Sequence, residues 1–401
     1  MSGINQGKTM SSAQRAPINW PATVMFILTT VPIFTVLPWY LATQSVSGWA
    51  WVWAFVLLWA NGLSITAGYH RLWAHRAYQA HPLLKWIYAL FGGMALQNSI
   101  QIWAATHRIH HQHVDHIDHD PYSAPRGFWY SHIGWMLRDY PASRLDYSNA
   151  ADLLADPVVS FQHRHYLAVA IGMNLGVVLL LGLAYGDVWG FLLVAGFLRI
   201  VANHHVTFFI NSLAHWWGRQ PYTKENTARD NDFLAFLTYG EGYHNFHHIF
   251  QWDYRNGIRW WQFDPTKWLI AASEKLGLAR DLKRVPEFKI QRAMLDRQFE
   301  RAHEDLAAVQ APHHPRLAEW QKLLEAELQT FRATIGEWTQ MQSGKFEAAK
   351  TQLQEKLHDR WEHSAMRTRL LILERSLKLQ RRRVELLRAQ LASYTLKPAT
   401  A

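Results

Sequence analysis

The chain has 401 residues, enough for one large core or two smaller ones, and its 41 Lys and Arg against 31 Asp and Glu give a formal net charge of +10. The absence of cysteine excludes disulfides, thiolate metal sites, iron–sulfur clusters and cysteine nucleophiles. The basic residues are scattered and match no nucleic-acid-binding motif, so the charge favours contact with anionic lipid and we expect no nucleic-acid partner.

The first part of the chain is polar and then strongly apolar. Residues 1–16 predict a disordered cytoplasmic tail. Residues 17–69 contain no Asp, Glu, Lys or Arg, and their hydropathy predicts two membrane spans, at about 20–42 and 48–68. Two further spans are predicted at about 166–185 and 188–210. The spans form two hairpins.

Residues 86–105 are also uncharged and long enough to cross a bilayer. A crossing there would separate His70 from His107 by roughly 30 Å of hydrocarbon. Imidazoles that share a metal ion must each approach it to about 2 Å. We therefore predict that this segment does not span the membrane.

The distribution of Lys and Arg predicts the orientation. The loops after the first and third spans contain neither residue, so the positive-inside rule places both termini and every histidine cluster in the cytoplasm. We predict an all-α, multi-pass integral membrane protein of a bacterial inner membrane or the endoplasmic reticulum. Residues 17–285 would form the membrane domain, with four transmembrane helices under a cytoplasmic helical cap.

Residues 286–401 are predicted to form a charged helical C-terminal extension. Apolar residues repeat there at alternating intervals of three and four, with Gln380 in the one missing place, which is a short heptad pattern: Leu370, Leu373, Leu377, Val384, Leu387 and Leu391. The pattern fits two helices that fold back on each other, and it also fits self-association of the chain through its C-terminal helices.

Histidines are concentrated in four segments. The spacing of His107, His110 and His111 is repeated in a second triplet, and residues three and four apart share one face of a helix. Asn211 and His215 lie one helical turn apart. His70 and His75 are about 140° apart around a helix, so they act together if the helix ends between them. The second triplet is His244, His247 and His248.

These clusters predict a dinuclear metal centre. Nitrogen ligands suit iron, zinc, copper or nickel, and nine histidines exceed the needs of one ion. A centre beside hydrophobic spans, with no obvious hydrolytic nucleophile, favours redox chemistry on a lipid. Nearby acidic residues are expected to orient the imidazole N–H groups: Asp115, Asp118, Asp120 and Glu241. Other histidines are expected to be solvated or accessory: His113, His116, His119, His204 and His205.

The joint order of four motifs resembles the membrane fatty acyl-CoA Δ9 desaturases of the stearoyl-CoA desaturase type. The motifs are Gly68-Tyr69-His70-Arg71-Leu72-Trp73-Ala74-His75, His107-Arg108-Ile109-His110-His111, Asn211-Ser212-Leu213-Ala214-His215 and Gly240-Glu241-Gly242-Tyr243-His244-Asn245-Phe246-His247-His248. The similarity covers about residues 20–285.

The resemblance implies an O2-dependent di-iron oxidoreductase that introduces a cis double bond, at Δ9, into a saturated fatty acyl chain carried by CoA. It implies no covalent or haem cofactor and a separate electron donor: a ferredoxin, cytochrome b5 or a reductase. The implied catalytic iron ligands are His70, His75, His107, His110, His111, His215, His244, His247 and His248, with Asn211 acting through water. The implied substrate contacts are Asn98, Trp103, Arg138, Phe208 and Leu58.

Two departures from the family pattern leave the acyl carrier open. The pair before the second motif, charged in animal acyl-CoA enzymes, is Ala105-Thr106, and Tyr122 stands where histidine often follows Asp-Pro. A desaturase acting on membrane-lipid acyl chains and a di-iron fatty-acid or alkane hydroxylase are the alternatives. A histidine-rich metal transporter is a third, and it would place its ligands within the spans.

Overall fold

The computed structural model describes residues 16–144, 147–308, 316–351 and 358–395. Apart from Ala16, the predicted N-terminal tail lies outside these ranges. The helices are α1 (Trp20–Thr43), α2 (Gly48–Ala74), α3 (Pro82–Met94), α4 (Ile100–Gln112), α5 (Phe128–His132), α6 (Ala151–Leu154), α7 (Pro157–Arg164), α8 (Tyr166–Ala184), α9 (Val188–Trp216), α10 (Asp232–Leu237), α11 (His244–Ile249), α12 (Pro265–Lys275), α13 (Glu287–Ala307), α14 (Leu317–Thr351) and α15 (His358–Thr395).

The remaining regular structure is short. Strand β1 (Gln79–Ala80) pairs antiparallel with β2 (Ala279–Arg280), which ties the segment after α2 to the segment after α12. Single 3₁₀ turns lie at Ala124–Arg126, Gly134–Met136, Pro141–Ser143 and Ser148–Ala150. The predicted all-α class is confirmed, and β structure among the described residues is confined to this two-residue pairing and two isolated bridges, Ile18–Arg138 and Asp230–Tyr243.

Four helices are long and apolar enough to cross a membrane, judged by length and composition: α1, α2, α8 and α9. They confirm the number and order of the predicted spans. Two of them continue beyond the predicted ends, α2 to Ala74 and α9 to Trp216. The polar residues that follow Gly68 do not end α2 because they are buried and partnered inside the protein, as Arg71 is by Glu241.

The short connections of the two hairpins lie together. Ser47 accepts a hydrogen bond from the Trp49 N–H and begins α2 as its N-cap. The backbone N–H of Ser47 donates to Asp187 Oδ2 at 2.8 Å, and the Tyr40 hydroxyl donates to Asp187 Oδ1 at 3.3 Å. The loop after α1 and the loop after α8 are therefore at the same end of the helices.

The end of α2 is a π-helix, over Ser64–Ala74. In a π-helix, backbone hydrogen bonds join residues five apart. Here the His75 N–H donates to the His70 carbonyl at 3.0 Å. The centroids of the two imidazole rings are 4.7 Å apart. The helix ends at Ala74, between the two histidines, and its wider last turn brings their rings to one side.

Residues 86–105 do not form a continuous crossing. Helix α3 ends at Met94 and α4 begins at Ile100, and between them Leu96 and Asn98 adopt positive φ angles of 54° and 73°. Ser99 caps α4 by accepting the Ile102 N–H. The break allows α4 to bring its histidines next to α2.

Arg199 lies within α9, and its side chain is 1% exposed. Its guanidinium donates to Asn61 Oδ1 of α2 at 2.8 Å, to Asn174 Oδ1 of α8 at 2.6 Å and to the Met94 carbonyl at the end of α3 at 3.1 Å. No carboxylate is among these acceptors. The cation is thus satisfied by oxygen dipoles from three other helices, which ties the bundle together around it.

The chain folds as two compact units. The first contains residues up to 218 and 226–283. The second contains residues 219–225 together with the chain from 284 onwards. The loop 219–225 thus belongs with the C-terminal helices, although it lies far from the boundary at 285/286 that the change in composition predicts.

The second unit consists mainly of α13, α14 and α15. Its core contains Phe288, Leu295, Trp320, Leu324 and Phe331 from α13 and α14. The heptad residues of α15 from Leu373 to Leu391 complete it, and Gln380 is fully buried. The heptad seam therefore packs against the chain's own helices, as in the fold-back interpretation.

A candidate dinuclear metal centre beside an apolar cavity

Nine histidines from separate parts of the chain meet in the first unit. The end of α2, the second half of α4, the end of α9 and the short α11 each contribute one to three imidazoles. The helical spacing of three and four places the members of each triplet on one face. They are His70, His75, His107, His110, His111, His215, His244, His247 and His248.

The imidazoles divide into two groups. The first contains five, His70, His75, His107, His111 and His247, and the second contains four, His110, His215, His244 and His248. Within each group one nitrogen per ring lies within 4.8 Å of every other. The two groups adjoin, since the His111 and His248 ring centroids are 4.5 Å apart. Each predicted triplet is shared between the groups.

Six of the nine rings are held as neutral bases. Burial, reinforced by the surrounding imidazoles, lowers the pKa well below the ordinary value in six of them: His75, His107, His111, His244, His247 and His248. A neutral imidazole keeps a lone pair on one nitrogen, which is the form that binds a metal ion.

Glu241 fixes the orientation of His70. The Nδ1–H of His70 donates to Glu241 Oε2 at 3.0 Å, and Arg71 donates to Oε1 of the same carboxylate at 2.9 Å. Burial opposes ionisation, but the interactions with His70 and Arg71 outweigh it and lower the pKa of Glu241 to about 2. Arg71 also pairs with the buried Asp264 at 3.1 Å. A buried ionic network thus directs His70 Nε2 into the first group.

The second group is supported by one acidic loop. The Nδ1–H of His110 donates to Asp120 Oδ1 at 2.9 Å. The Nδ1–H of His215 donates to the Thr227 hydroxyl at 2.8 Å, and that hydroxyl donates to Asp115 Oδ1 at 2.7 Å. Both carboxylates therefore orient imidazoles, as expected from the sequence, whereas no pattern in the sequence marks Thr227 as a link.

The fourth acidic residue expected in this role, Asp118, does not perform it. Its side chain lies on the exposed part of the same loop, and its backbone N–H donates to His116 Nδ1 at 3.2 Å. The expectation fails because the loop turns outward between Asp115 and Asp120.

Tyr122 supports His107 in place of a carboxylate. Its hydroxyl lies 3.0 Å from His107 Nδ1, and its side chain is 5% exposed. Trp103 stacks on the same imidazole, with ring centroids 4.9 Å apart and planes 28° apart. The sequence marks Tyr122 only as a departure from the family pattern. The position of Tyr122 two residues after Asp120 is the feature of the sequence that could have predicted this contact.

The arrangement of the ring nitrogens fits a pair of metal ions. His70, His110 and His215 engage Glu241, Asp120 and Thr227 through Nδ1, which directs each Nε2 into its group. Each of these Nε2 atoms faces another imidazole Nε2, at 3.0 Å for His247, 3.3 Å for His248 and 3.2 Å for His244. Imidazole nitrogens that converge in this way suit iron, zinc, copper or nickel.

The other histidines stay outside both groups. His113, His116 and His119 approach one another on the exposed loop, with ring centroids of neighbours 4.5–5.3 Å apart. His204 Nε2 lies 3.0 Å from the Ala95 carbonyl, and His205 Nδ1 lies 3.0 Å from His132 Nε2.

A cavity of about 460 Å³ opens beside the centre. At one end it is lined by His70, His107 and Asn211, and farther away by apolar residues of α1, α8 and α9. Four of the five predicted substrate contacts line it: Asn98, Trp103, Arg138 and Phe208.

Leu58 does not line this cavity. Helix α2 first reaches it at Ile65 and Thr66, two turns beyond Leu58. The carbonyl of Leu58 instead accepts a hydrogen bond from the Tyr239 hydroxyl at 3.2 Å. The expectation for Leu58 is therefore corrected: Tyr239 covers α2 at that level.

Comparison with known proteins identifies relatives of similar sequence. The chain is 43% identical to acyl-CoA desaturase 1 of Saccharomyces cerevisiae over 250 residues, which are 62% of this chain and 49% of the yeast protein. It is 36% identical to the acyl-CoA Delta12-desaturase of Acheta domesticus, over 71% of this chain and 80% of that protein. It is 34% identical to the sn-1 stearoyl-lipid 9-desaturase of Anabaena variabilis, over 69% of this chain and 97% of that protein.

The chain spans about half the length of the yeast protein, and 57% of a probable acyl-CoA desaturase of Schizosaccharomyces pombe at 41% identity. The model of the fatty acid desaturase family matches residues 47–281, which include all nine clustered histidines. The chain belongs to the fatty acid desaturase family.

Proposed function

We propose that this chain is a membrane-bound oxidoreductase that introduces a cis double bond, at Δ9, into a saturated fatty acyl chain. The observation that carries the proposal is that His70 and His107 of the five-histidine group line an apolar cavity, with the four-histidine group adjoining the first. The relatives' names support the reaction: the Anabaena variabilis protein is named as an sn-1 stearoyl-lipid 9-desaturase, and a relative from Nostoc sp. as an sn-2 palmitoyl-lipid 9-desaturase.

Two iron ions held by the five-histidine and four-histidine groups would supply the oxidising power, because an unactivated methylene has no acidic proton for a base to remove. The balanced reaction consumes O2, two electrons and two protons. It removes one hydrogen atom from each of two neighbouring methylenes and forms two water molecules. The chain's own residues have the task of holding one C–C bond in place.

The cavity supplies that positioning. Trp103 stacks on His107 and lines the cavity beside it, so its indole forms part of the wall at the reactive end. Its Nε1–H donates to Gln97 Oε1 at 3.3 Å, and Gln97 donates to Thr207 Oγ1 at 2.8 Å, which fixes the ring. Phe26, Ile171 and other apolar residues line the remainder and exclude water from the acyl chain.

We propose acyl-CoA as the carrier, since the yeast and human relatives are named for acyl-CoA and stearoyl-CoA. Asn98 and Arg138 would contact the headgroup where they line the cavity. A membrane lipid is the second candidate carrier. The relative that is matched over nearly its whole length is named as a stearoyl-lipid desaturase, which favours this alternative.

Both termini and the centre would face the cytoplasm. The two hairpin loops, which meet at Asp187, contain no Lys or Arg, and the positive-inside rule places such loops on the opposite side. Electrons would come from a separate ferredoxin, cytochrome b5 or reductase. A cysteine introduced at Ser45 should react with a membrane-impermeant maleimide from outside, whereas one at His119 should not.

The test of the reaction is expression in a desaturase-deficient host, with gas chromatography–mass spectrometry of the fatty acids. The proposal expects monounsaturated products with the double bond at carbon 9, lost in His247→Ala and kept in His119→Ala, which changes an exposed histidine outside both groups. Purified protein offered acyl-CoA and phospholipid separately identifies the carrier. Products that retain an oxygen atom from O2 would instead identify a hydroxylase.

A further inference from the structure

Helix α15 has a second apolar face in addition to the buried one. Leu371, Ile372, Leu379 and Leu386 are 58%, 61%, 47% and 66% exposed. In the described part of the second unit, Leu323 is the only other large apolar side chain that is equally open to solvent. Soluble helices rarely expose several large apolar side chains on one side without a partner.

The spacing aligns these residues along the helix. Ile372, Leu379 and Leu386 are seven apart, so they form a stripe about 21 Å long at a rise of 1.5 Å per residue. Arg375 and Arg382 are exposed and lie on the same side, between successive members of the stripe. We call these residues, with Leu371, the basic–apolar face: Leu371, Ile372, Arg375, Leu379, Arg382 and Leu386.

The charge on this face is one-sided. No carboxylate among the described residues pairs with Arg375 or Arg382. Between residues 365 and 392 the acidic residues are Glu374 and Glu385. Helical geometry places Glu374 away from the stripe, whereas Glu385 lies beside Arg382, three residues after it. Glu385 instead accepts a hydrogen bond from Gln298 of α13 at 2.6 Å.

The opposite face of α15 is already occupied. Leu377, Val384 and Leu391 are fully buried in the core of the second unit. The basic–apolar face therefore does not stabilise the fold of this unit.

A second copy of the chain fits this face poorly. Pairing through a heptad seam needs apolar residues at two positions in each seven. With Ile372, Leu379 and Leu386 at one position, Arg375 and Arg382 occupy the other. Two such helices would bring arginines together at the centre of the interface, where like charges repel.

An anionic lipid surface matches both features. Arginine side chains can extend to phosphate headgroups while neighbouring leucines enter the interfacial region of the bilayer. Each Lys or Arg near such a surface contributes attraction that salt screens. The same chain carries four helices suited to a membrane. We propose that the basic–apolar face of α15 binds the anionic lipid surface of the membrane.

The absence of cysteine allows a direct test on the full chain. Leu379→Cys is labelled with an environment-sensitive fluorophore, and the protein is reconstituted in nanodiscs that contain phosphatidylcholine alone or with phosphatidylglycerol. Doxyl-labelled lipid serves as the quencher. Gln329→Cys, on an exposed position of α14, is the control.

The proposal expects about twofold greater quenching at position 379 than at 329 in anionic nanodiscs, with the difference reduced in neutral ones. Arg375→Glu with Arg382→Glu should abolish the difference, while Lys322→Glu with Arg332→Glu, an equal change of charge at exposed positions of α14, should preserve it.

Quenching at 379 no greater than at 329 would overturn the proposal, as would quenching at 379 that the two arginine reversals leave unchanged. Disulfide formation between two copies of unlabelled Leu379→Cys, with no quenching by lipid, would show a dimer interface instead. None of these outcomes depends on desaturase activity.

Discussion

The Nε2 atoms of His70 and His247 lie 3.0 Å apart, although the residues are 177 positions apart in the chain. His70 Nδ1 lies 3.0 Å from Glu241 Oε2, which directs His70 Nε2 towards the second ring. A metal ion held by both rings would account for their close approach. This pair joins the end of a membrane-length helix to the short helix α11 and closes the five-histidine group.

Glu241→Gln tests the support of that group. The change removes the charge that orients His70 and balances Arg71, so we expect a roughly 10–100-fold loss of iron affinity. Iron retention against a competing chelator, measured by mass spectrometry of the metal, gives the affinity. Glu274→Gln, at an exposed position of α12, is the matched control. Equal iron retention in both variants would show that the carboxylate does not act on the centre.

Thr227→Val tests the four-histidine group separately. Valine keeps the shape of the side chain but removes the hydroxyl between Asp115 and His215. We therefore expect about tenfold lower affinity for one of the two ions. The iron content of the purified protein should fall towards one per chain on dilution into chelator. Thr330→Val, on an exposed part of α14, should leave it unchanged. Parallel loss of both ions would argue against two separable groups.

The histidine set could be predicted from the sequence because its signal is local. Two triplets with helical spacing and an Asn211–His215 turn can be recognised without tertiary structure. The π-helix that joins His70 to His75 could not be, since the widening of a helix depends on what packs around it. Thr227 was missed for a related reason: a threonine in a loop carries no pattern, and only its place between Asp115 and His215 gives it a role.

The partners of Arg199 could not be predicted by looking for opposite charges, because they are neutral. Asn61 and Asn174 are single amide residues within long apolar stretches, and this isolation was the feature of the sequence that could have identified them. The substrate contact expected at Leu58 was not found. Hydropathy predicts where a residue lies along a membrane span, but it does not predict how far along that span the cavity extends.

Arg199→Met should destabilise the membrane unit by about 3 kcal/mol, because it leaves buried acceptors on Asn61 and Asn174 without a donor. The apparent Tm of detergent-solubilised protein, followed by tryptophan fluorescence, should fall. Arg164→Met, at an exposed position, serves as the control. Adding Asn61→Leu and Asn174→Leu to Arg199→Met should restore part of the lost stability. A triple variant less stable than Arg199→Met would contradict the account of this network.

Ala170→Phe should shorten the usable cavity. Ala170 is 1% exposed and lines the cavity on α8. We expect activity on a chain of about 18 carbons to fall about tenfold more than activity on one of about 14, since the larger ring occupies space that the longer chain needs. Chromatography of products from each acyl length measures the ratio. Ala168→Phe makes the same change at an exposed position of α8 and should not alter it.

Metal content, measured with the identity of the metal in purified protein, tests the central claim most directly. We predict about two iron ions per chain, one for each of the two imidazole groups. His247→Ala should lose iron while His119→Ala retains it. Stoichiometric zinc with no iron, or full iron content in His247→Ala, would contradict the account.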